Sequence, residues 1–160
     1  LMAYSHVAHD CILGDRVILA NNVTLAGHVE IEDWAILEGL VAVQQFTRIG
    51  QHSFIAGSTL VRKSVPPFVR AAREPISYIG VNKIGLTRRD FTPAQIKRIH
   101  DIYRILFVRG NNLSNGVETV KNDLDDSLEK EQILAFIDSA SKTGVIRGFN
   151  NLNGTDTNED

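Results

Sequence analysis

The chain has 160 residues, 43% of them hydrophobic and 22% charged, and carries a formal net charge of −2. These are the proportions of a globular domain, and no apolar run approaches the roughly 20 residues of a membrane-spanning helix. The single cysteine, Cys11, excludes an intrachain disulfide and fits a reducing compartment.

The charge is unevenly spread. Residues 1–61 carry two basic and six acidic side chains, a net of −4. Residues 62–109 carry eleven basic and three acidic, a net of +8, and residues 110–160 carry four basic and ten acidic, a net of −6. A basic middle segment can meet a phosphate, a nucleic acid or an acidic protein, or can simply be solvated surface.

The chain opens inside a repeat. Leu1, Val7, Leu13, Leu19, Leu25, Ile31, Leu37, Val43, Ile49, Ile55 and Val61 follow one another at a spacing of six without a failure. The next residue is often small, as at Ala8, Gly14, Ala20, Ala26, Gly50 and Ala56, and the fourth after the aliphatic is small or β-branched, from Cys11 and Val17 to Thr59 and Val65. Such a hexapeptide repeat makes a triangular parallel β-helix, a β-solenoid. Each hexad forms one flat side and turns a corner, with the aliphatic pointing inward. Three hexads close a coil, so residues 18 apart stack on neighbouring coils about 4.8 Å apart. Because Leu1-Met2-Ala3-Tyr4 already lies within the pattern, preceding coils are expected to be missing from the chain, and the lack of a leader sequence carries little weight.

The repeat occupies residues 1–67 and stops at Pro66-Pro67. A second region, 68–147, begins with a connecting stretch to about Phe91 and then turns helical. Thr92-Pro93-Ala94-Gln95 reads as a capping box with proline at the first helical position. Ile96, Ile99, Tyr103 and Leu106 share an apolar face, and Gly110 is a helix stop. Ser114–Leu124 and Glu129–Ser141 are two further helices, and the polar, acidic residues 148–160 read as a disordered tail.

Stacking by 18 assembles a candidate site. His9 and Asp10 fall beside Gly27 and His28 of the next coil, which fall beside Gln45 and Phe46 of the coil after. His6 is expected at the corner preceding His9. A histidine is the usual general base near neutral pH. A neighbouring carboxylate can fix its tautomer, and a glycine one strand away can offer an unobstructed N–H to an oxyanion. Solvated surface histidines on an irregular coil are the plain alternative. Cys11 occupies an inward position and reads as a structural thiol. Asn21 and Asn22 read as corner residues, and neither His52 nor His100 has a recognisable polar cluster.

Several of these segments resemble one family. His6-Val7-Ala8-His9-Asp10-Cys11, Leu19-Ala20-Asn21-Asn22 and Leu25-Ala26-Gly27-His28 in the coils, then Pro66-Pro67, Gly80-Val81-Asn82 and Gly85-Leu86-Thr87-Arg88-Arg89 beyond them, are similar to the UDP-N-acetylglucosamine O-acyltransferases that begin lipid A biosynthesis. The resemblance runs from Leu1 to about Arg147. It implies a left-handed parallel β-helix followed by a small α-helical domain, in a cytoplasmic homotrimer that needs no metal or other cofactor. It also implies transfer of a 3-hydroxyacyl group from acyl carrier protein to the sugar 3-hydroxyl of UDP-N-acetylglucosamine. His9 then falls on the catalytic base, Asp10 on its partner and Gly27 on the oxyanion donor. His6, His28 and Gln45 line the site, and Asn82, Arg88 and Arg89 fall on nucleotide-contacting positions. The basic middle segment would serve the pyrophosphate and an acidic carrier protein rather than a nucleic acid. Gly57 falls where side-chain bulk limits acyl length, which favours a longer donor; a glycine easing a tight corner is the alternative.

Two departures accompany the likeness. Gln44 stands where the family commonly has histidine, and the family's chains are longer at the N-terminus. Three other readings compete. One is the N-acyltransferase of the same pathway, which shares the solenoid and the histidine base but lacks a Gly-Leu-Thr-Arg-Arg link. Another is a zinc enzyme of the γ-carbonic anhydrase kind, with His6, His9 and His28 as ligands. The third is a solenoid that binds without catalysing.

Overall fold

The computed structural model describes residues 1–109, 112–140 and 143–149. Ten two-residue strands carry the repeat, one per hexad. β1 (His6–Val7), β4 (Thr24–Leu25), β7 (Ala42–Val43) and β10 (Leu60–Val61) stack in parallel on one face. β2 (Ile12–Leu13), β5 (Glu30–Ile31) and β8 (Arg48–Ile49) form a second, and β3 (Ile18–Leu19), β6 (Ile36–Leu37) and β9 (Phe54–Ile55) a third. The register pairs His6 with Thr24, Thr24 with Ala42 and Leu60 with Ala42, so the step between coils is the expected 18 residues.

Both inward positions of the hexad are filled as the pattern requires. Leu19, Leu25, Leu37, Ile49 and Ile55 are fully buried, as are Val23, Val29, Ala35, Val41, Thr47 and Ser53. Each large aliphatic so buried contributes about 1.5–3 kcal/mol. The first coil has a neighbour on one side only within this chain, and Val7, Cys11 and Leu13 are correspondingly half-buried. Cys11 is structural as expected, its Sγ donating to the Ala26 carbonyl at 3.1 Å.

The corners have their own rule. The third residue after each aliphatic from Leu1 to Ile55 lies in the left-handed region, at Tyr4, Asp10, Arg16, Asn22, His28, Trp34, Leu40, Phe46, His52 and Ser58. None of the ten is β-branched, the class for which that conformation is most strained. These residues stack into three edges of the prism. Asp10, His28 and Phe46 mark the first edge, Arg16, Trp34 and His52 the second, and Tyr4, Asn22, Leu40 and Ser58 the third.

The sheet outlasts the repeat. β11 (Val69–Ala72) continues the third face, pairing Arg70 with Phe54, and forms an antiparallel hairpin with β12 (Ser77–Val81). The stretch expected to be a linker therefore holds a hairpin and a short helix, α1 (Lys83–Thr87), and the solenoid's third face passes the boundary set at residue 67. The C-terminal boundary also moves. Arg147–Gly148 forms β13 beside β12, and Arg73 lies over the Phe149 ring at 3.9 Å. The remainder of the expected tail, residues 150–160, lies outside the described residues, as does Gly110.

Helix α2 (Pro93–Tyr103) starts where the capping box puts it: Gln95 N donates to Thr92 Oγ1, and Thr92 N to Gln95 Oε1. It runs on through Arg104–Val108 as a wider π-type turn. Ile99, Tyr103 and Leu106 are buried on the expected face. Tyr103 stacks with Tyr78 of the hairpin and gives its hydroxyl hydrogen to the Pro67 carbonyl at 2.6 Å. Helices α3 (Leu113–Asp123) and α4 (Leu128–Ser139) match the two further helices expected, capped by Asn112 and Ser127. Arg48 pins α4 to the second face. Its guanidinium bonds Ser139 Oγ, pairs with Glu30 at 3.0 Å and Glu32 at 3.1 Å, and lies over Phe136.

Candidate active site

The first edge of the prism brings together five of the residues singled out in the sequence. Asp10 sits at the corner with a φ of 58°, which turns its carboxylate back toward its neighbour: His9 Nδ1 and Asp10 Oδ2 are 2.9 Å apart. An ionised carboxylate only accepts hydrogen bonds. The proton therefore lies on Nδ1, and Nε2 carries a free lone pair. The hydrogen bond to His9 and the field of His28, whose Nε2 is 3.7 Å away, hold the Asp10 carboxyl below its ordinary range. Asp10 stays ionised wherever His9 is needed as a neutral base.

On the next coil, Gly27 lies directly under His9. A Cβ at residue 27 would fall 2.6 Å from both Cε1 and Nε2 of that ring, so the imidazole occupies the space a side chain would take. The coil also explains what the Gly27 N–H can do. At the equivalent corner position, Asp15 N donates to Asp33 Oδ1 at 2.7 Å, Gln51 N to Glu32 Oε2 at 2.9 Å and Gly57 N to Glu38 Oε2 at 3.1 Å. This N–H faces outward and takes carboxylate oxygens at three corners. Among the described residues the Gly27 N–H has no such acceptor. It is free for an oxygen bearing negative charge beside His9 Nε2.

His28 meets His9 edge to face, with ring centroids 5.0 Å apart, and stacks on Phe46 at 4.9 Å. The step of 18 places Phe46 beside His28, and the structure adds that its ring forms a stacked face for the imidazole, a role the sequence reading does not assign. Gln45 and Gln44 are exposed on the same corner. His6 lies on β1 rather than at a corner, exposed three residues ahead of His9 with its backbone paired to Thr24, because the preceding turn falls at Tyr4. His9 and Asp10 are each 66% exposed, so this edge alone forms an open site.

The remaining candidates lie elsewhere. Asn82 is buried at the start of α1, where its side chain caps Gly85 N and donates to the His52 carbonyl at 2.9 Å. Arg89 lies on the second edge, its guanidinium over the Trp34 ring at 5.1 Å and 3.4 Å from His52 Nδ1. Arg88 is exposed at the end of α1. Gly57 belongs to the third edge, beside Gly39. Within one chain, then, the base and Arg89 stand on different edges of the prism. His52 sits among the rings of Trp34, Phe68 and Phe91 with one polar side-chain partner, Arg89, which the sequence reading does not find. Three of those four come from beyond the repeat, where counting by 18 gives no guide.

His9, Asp10 and His28 can bring three donor atoms within 4.8 Å of one another. This differs from the His6, His9 and His28 set considered for zinc, because Asp10 takes the place of His6. No helix among the described residues is long and apolar enough to cross a membrane.

Comparison with known proteins gives one answer. The family model described as UDP-N-acetylglucosamine O-acyltransferase, domain 2, matches residues 65–148. A curated relative from Thiobacillus denitrificans, named acyl-[acyl-carrier-protein]–UDP-N-acetylglucosamine O-acyltransferase, is 42% identical over 147 residues, covering 92% of this chain and 57% of its own. A relative of the same name from Aliivibrio fischeri is 43% identical and covered over 54% of its length. The crystal structure of a Bacteroides fragilis UDP-N-acetylglucosamine acyltransferase superposes with a TM-score of 0.89 at 40% identity, over 92% of this chain and 57% of that one. A Francisella novicida UDP-N-acetylglucosamine acyltransferase gives 0.89 at 38% identity over 94% and 55%. The chain thus spans a little over half the length of the relatives it matches. With a family model over residues 65–148 and a relative 42% identical over 92% of this chain, the chain belongs to the UDP-N-acetylglucosamine O-acyltransferase family.

Proposed function

We propose that the protein of which this chain forms part transfers a 3-hydroxyacyl group from acyl carrier protein to the 3-hydroxyl of UDP-N-acetylglucosamine, the first step of lipid A biosynthesis. The observation that carries this reading is the His9 ring, fixed by Asp10 at 2.9 Å and laid against the Gly27 backbone. His9 Nε2 takes the proton of the sugar hydroxyl as its oxygen bonds to the thioester carbonyl carbon. The Gly27 N–H receives the oxyanion of the tetrahedral intermediate. As the carbon–sulfur bond breaks, the proton on Nε2 passes to the leaving thiolate. No metal or other cofactor takes part, and no covalent acyl-enzyme forms.

The reaction also calls for a second copy of the chain. An edge as open as that of His9 and Asp10 excludes no water, and Arg89, which suits a pyrophosphate, stands on another edge. A homotrimer places one copy's second edge beside another copy's first, with His6, His28 and Gln45 lining the acceptor site and Arg88 and Arg89 meeting phosphate or the acidic carrier. The setting is cytoplasmic, where both substrates are made. His9→Ala in the full-length protein tests the reading: turnover should fall by roughly 10²–10⁴-fold with the fold intact. Near-normal turnover removes it.

The donors of His9, Asp10 and His28 support a second reading, a bound divalent metal. Metal analysis separates the two: stoichiometric zinc, and activity lost to chelators, would favour the metal.

A further inference from the structure

The second edge of the prism carries a continuous stack that acyl transfer does not by itself require. Arg16 lies over Trp34 at 4.6 Å, Trp34 stacks on His52 at 6.1 Å with 8° between planes, and His52 stacks on Phe68 at 5.8 Å. Phe91 closes the side of His52 edge-on at 5.0 Å. His52 is 8% exposed, and its backbone is held twice, by His52 N donating to the Asp33 carbonyl and by Asn82 Nδ2 donating to its own carbonyl. Asn82 also caps α1, the helix that leads into Arg89. The imidazole and the arginine are thus registered to one another through a single amide.

We propose that His52 is a positioning residue for Arg89: its Nδ1 accepts a hydrogen bond from the Arg89 guanidinium and fixes where that charge is presented along the second edge. The proposal rests on the acyl-transfer reading above, in which Arg89 meets phosphate or the carrier protein. An imidazole can accept at Nδ1 only with its proton on Nε2 and no positive charge. Both conditions suit the place. Burial and the neighbouring Arg89 charge push His52 down to about 4, with Asp33 opposing only weakly. The flat indole of Trp34 supplies the second restraint, because a guanidinium over a ring is confined to a plane. An arginine already confined loses less freedom when an anion arrives, so the benefit falls on substrate affinity rather than on the chemical step.

Two substitutions in the full-length protein separate positioning from packing. His52→Phe keeps the stack and removes the acceptor, and phenylalanine already occupies the left-handed region at Phe46 and Phe68. His52→Asn returns an acceptor near Nδ1 and suits the φ of 55°. His52→Phe should raise KM for the nucleotide sugar or the acyl carrier roughly three- to tenfold, as expected for re-immobilising one long side chain, with kcat little changed. His52→Asn should recover most of that loss. In an Arg89→Ala background, His52→Phe should add nothing. Nitrogen-15 shifts of the wild-type imidazole should show an unprotonated Nδ1 that responds to Arg89→Ala. A full His52→Phe effect on top of Arg89→Ala makes His52 a packing residue and overturns the proposal. An unchanged KM in Arg89→Ala overturns the role of Arg89 and of His52 together, whereas acyl transfer itself is judged separately by His9→Ala.

Discussion

The imidazole edge of His9 lies over the backbone of Gly27, so close that a methyl group at residue 27 would sit 2.6 Å from Nε2. The base and the outward N–H are held by two adjacent coils, and the parallel stacking that builds the solenoid also sets the distance between them. Gly27 is not in the left-handed region; His28 takes that conformation at this corner. Gly27→Ala therefore strains no backbone, and the exposed His9 ring can swing aside. Alanine keeps the backbone N–H, so the loss is one of base alignment, and we expect turnover to fall by roughly 10²-fold, the cost of misplacing a catalytic group by about an ångström, while the melting temperature moves little. Near-wild-type kcat would show that His9 is not used where it lies.

Asp10→Asn should be almost as damaging as loss of the base. Asparagine tolerates the φ of 58°, so the fold should hold. Its amide can donate to Nδ1 and so favour the tautomer with the proton on Nε2, where the lone pair is needed. A drop of roughly 10²–10⁴-fold in kcat is expected. Full activity with a normal pH profile would assign Asp10 to the surface.

His52 gives stability a defined dependence on pH. Its folded-state value is pushed down to about 4 from 6.5 by burial and Arg89, so between those values the unfolded chain binds the extra proton. The His52 contribution is complete above pH 6.5, declines as pH falls toward 4 and is flat below. Denaturant midpoints at pH 7, 5.5 and 4 should fall in that order, and His52→Asn should flatten the slope. An unchanged slope would mean that other groups set it.

Arg48→Ala should loosen the helical domain rather than the coils. The guanidinium joins Ser139 and Phe136 of α4 to Glu30 and Glu32 of the solenoid. Removing it leaves two carboxylates without their cation, a loss of about 2 kcal/mol for partly exposed groups. Hydrogen exchange in α4 should rise while that of the coil strands stays low. Uniform acceleration would show that the two regions unfold together.

Gly57→Met tests the acyl-length expectation. Ser58, not Gly57, carries the left-handed turn at that corner, and a Cβ at residue 57 would meet the Gly39 carbonyl at 3.2 Å. That backbone carbonyl must give by a few tenths of an ångström, so a glycine easing a tight corner stands as the alternative that the variant tests. The variant should stay folded and favour shorter donors than the parent. Lost stability with unchanged donor preference would sink the idea that residue 57 measures chain length.

Much of this protein is determined by sequence alone because its core is periodic. An aliphatic at every sixth residue admits one closed parallel coil, and a step of 18 then puts His9, Asp10, Gly27, His28 and Gln45 on one edge without any knowledge of the fold's remainder. The capping box at Thr92 and Gln95 is similarly local, and so was legible. The seat of Arg89 was not. Trp34 and His52 obey the step of 18, but Phe68, Phe91 and Arg89 follow Pro66-Pro67, where the count ends. Arg48 holds an outward strand position of the hexad, and nothing in the repeat points to α4, some ninety positions later, which packs over it. Only tertiary structure decides such contacts, because they depend on how a hairpin and four helices fold back on the prism, and side-chain packing between distant segments has no period to read.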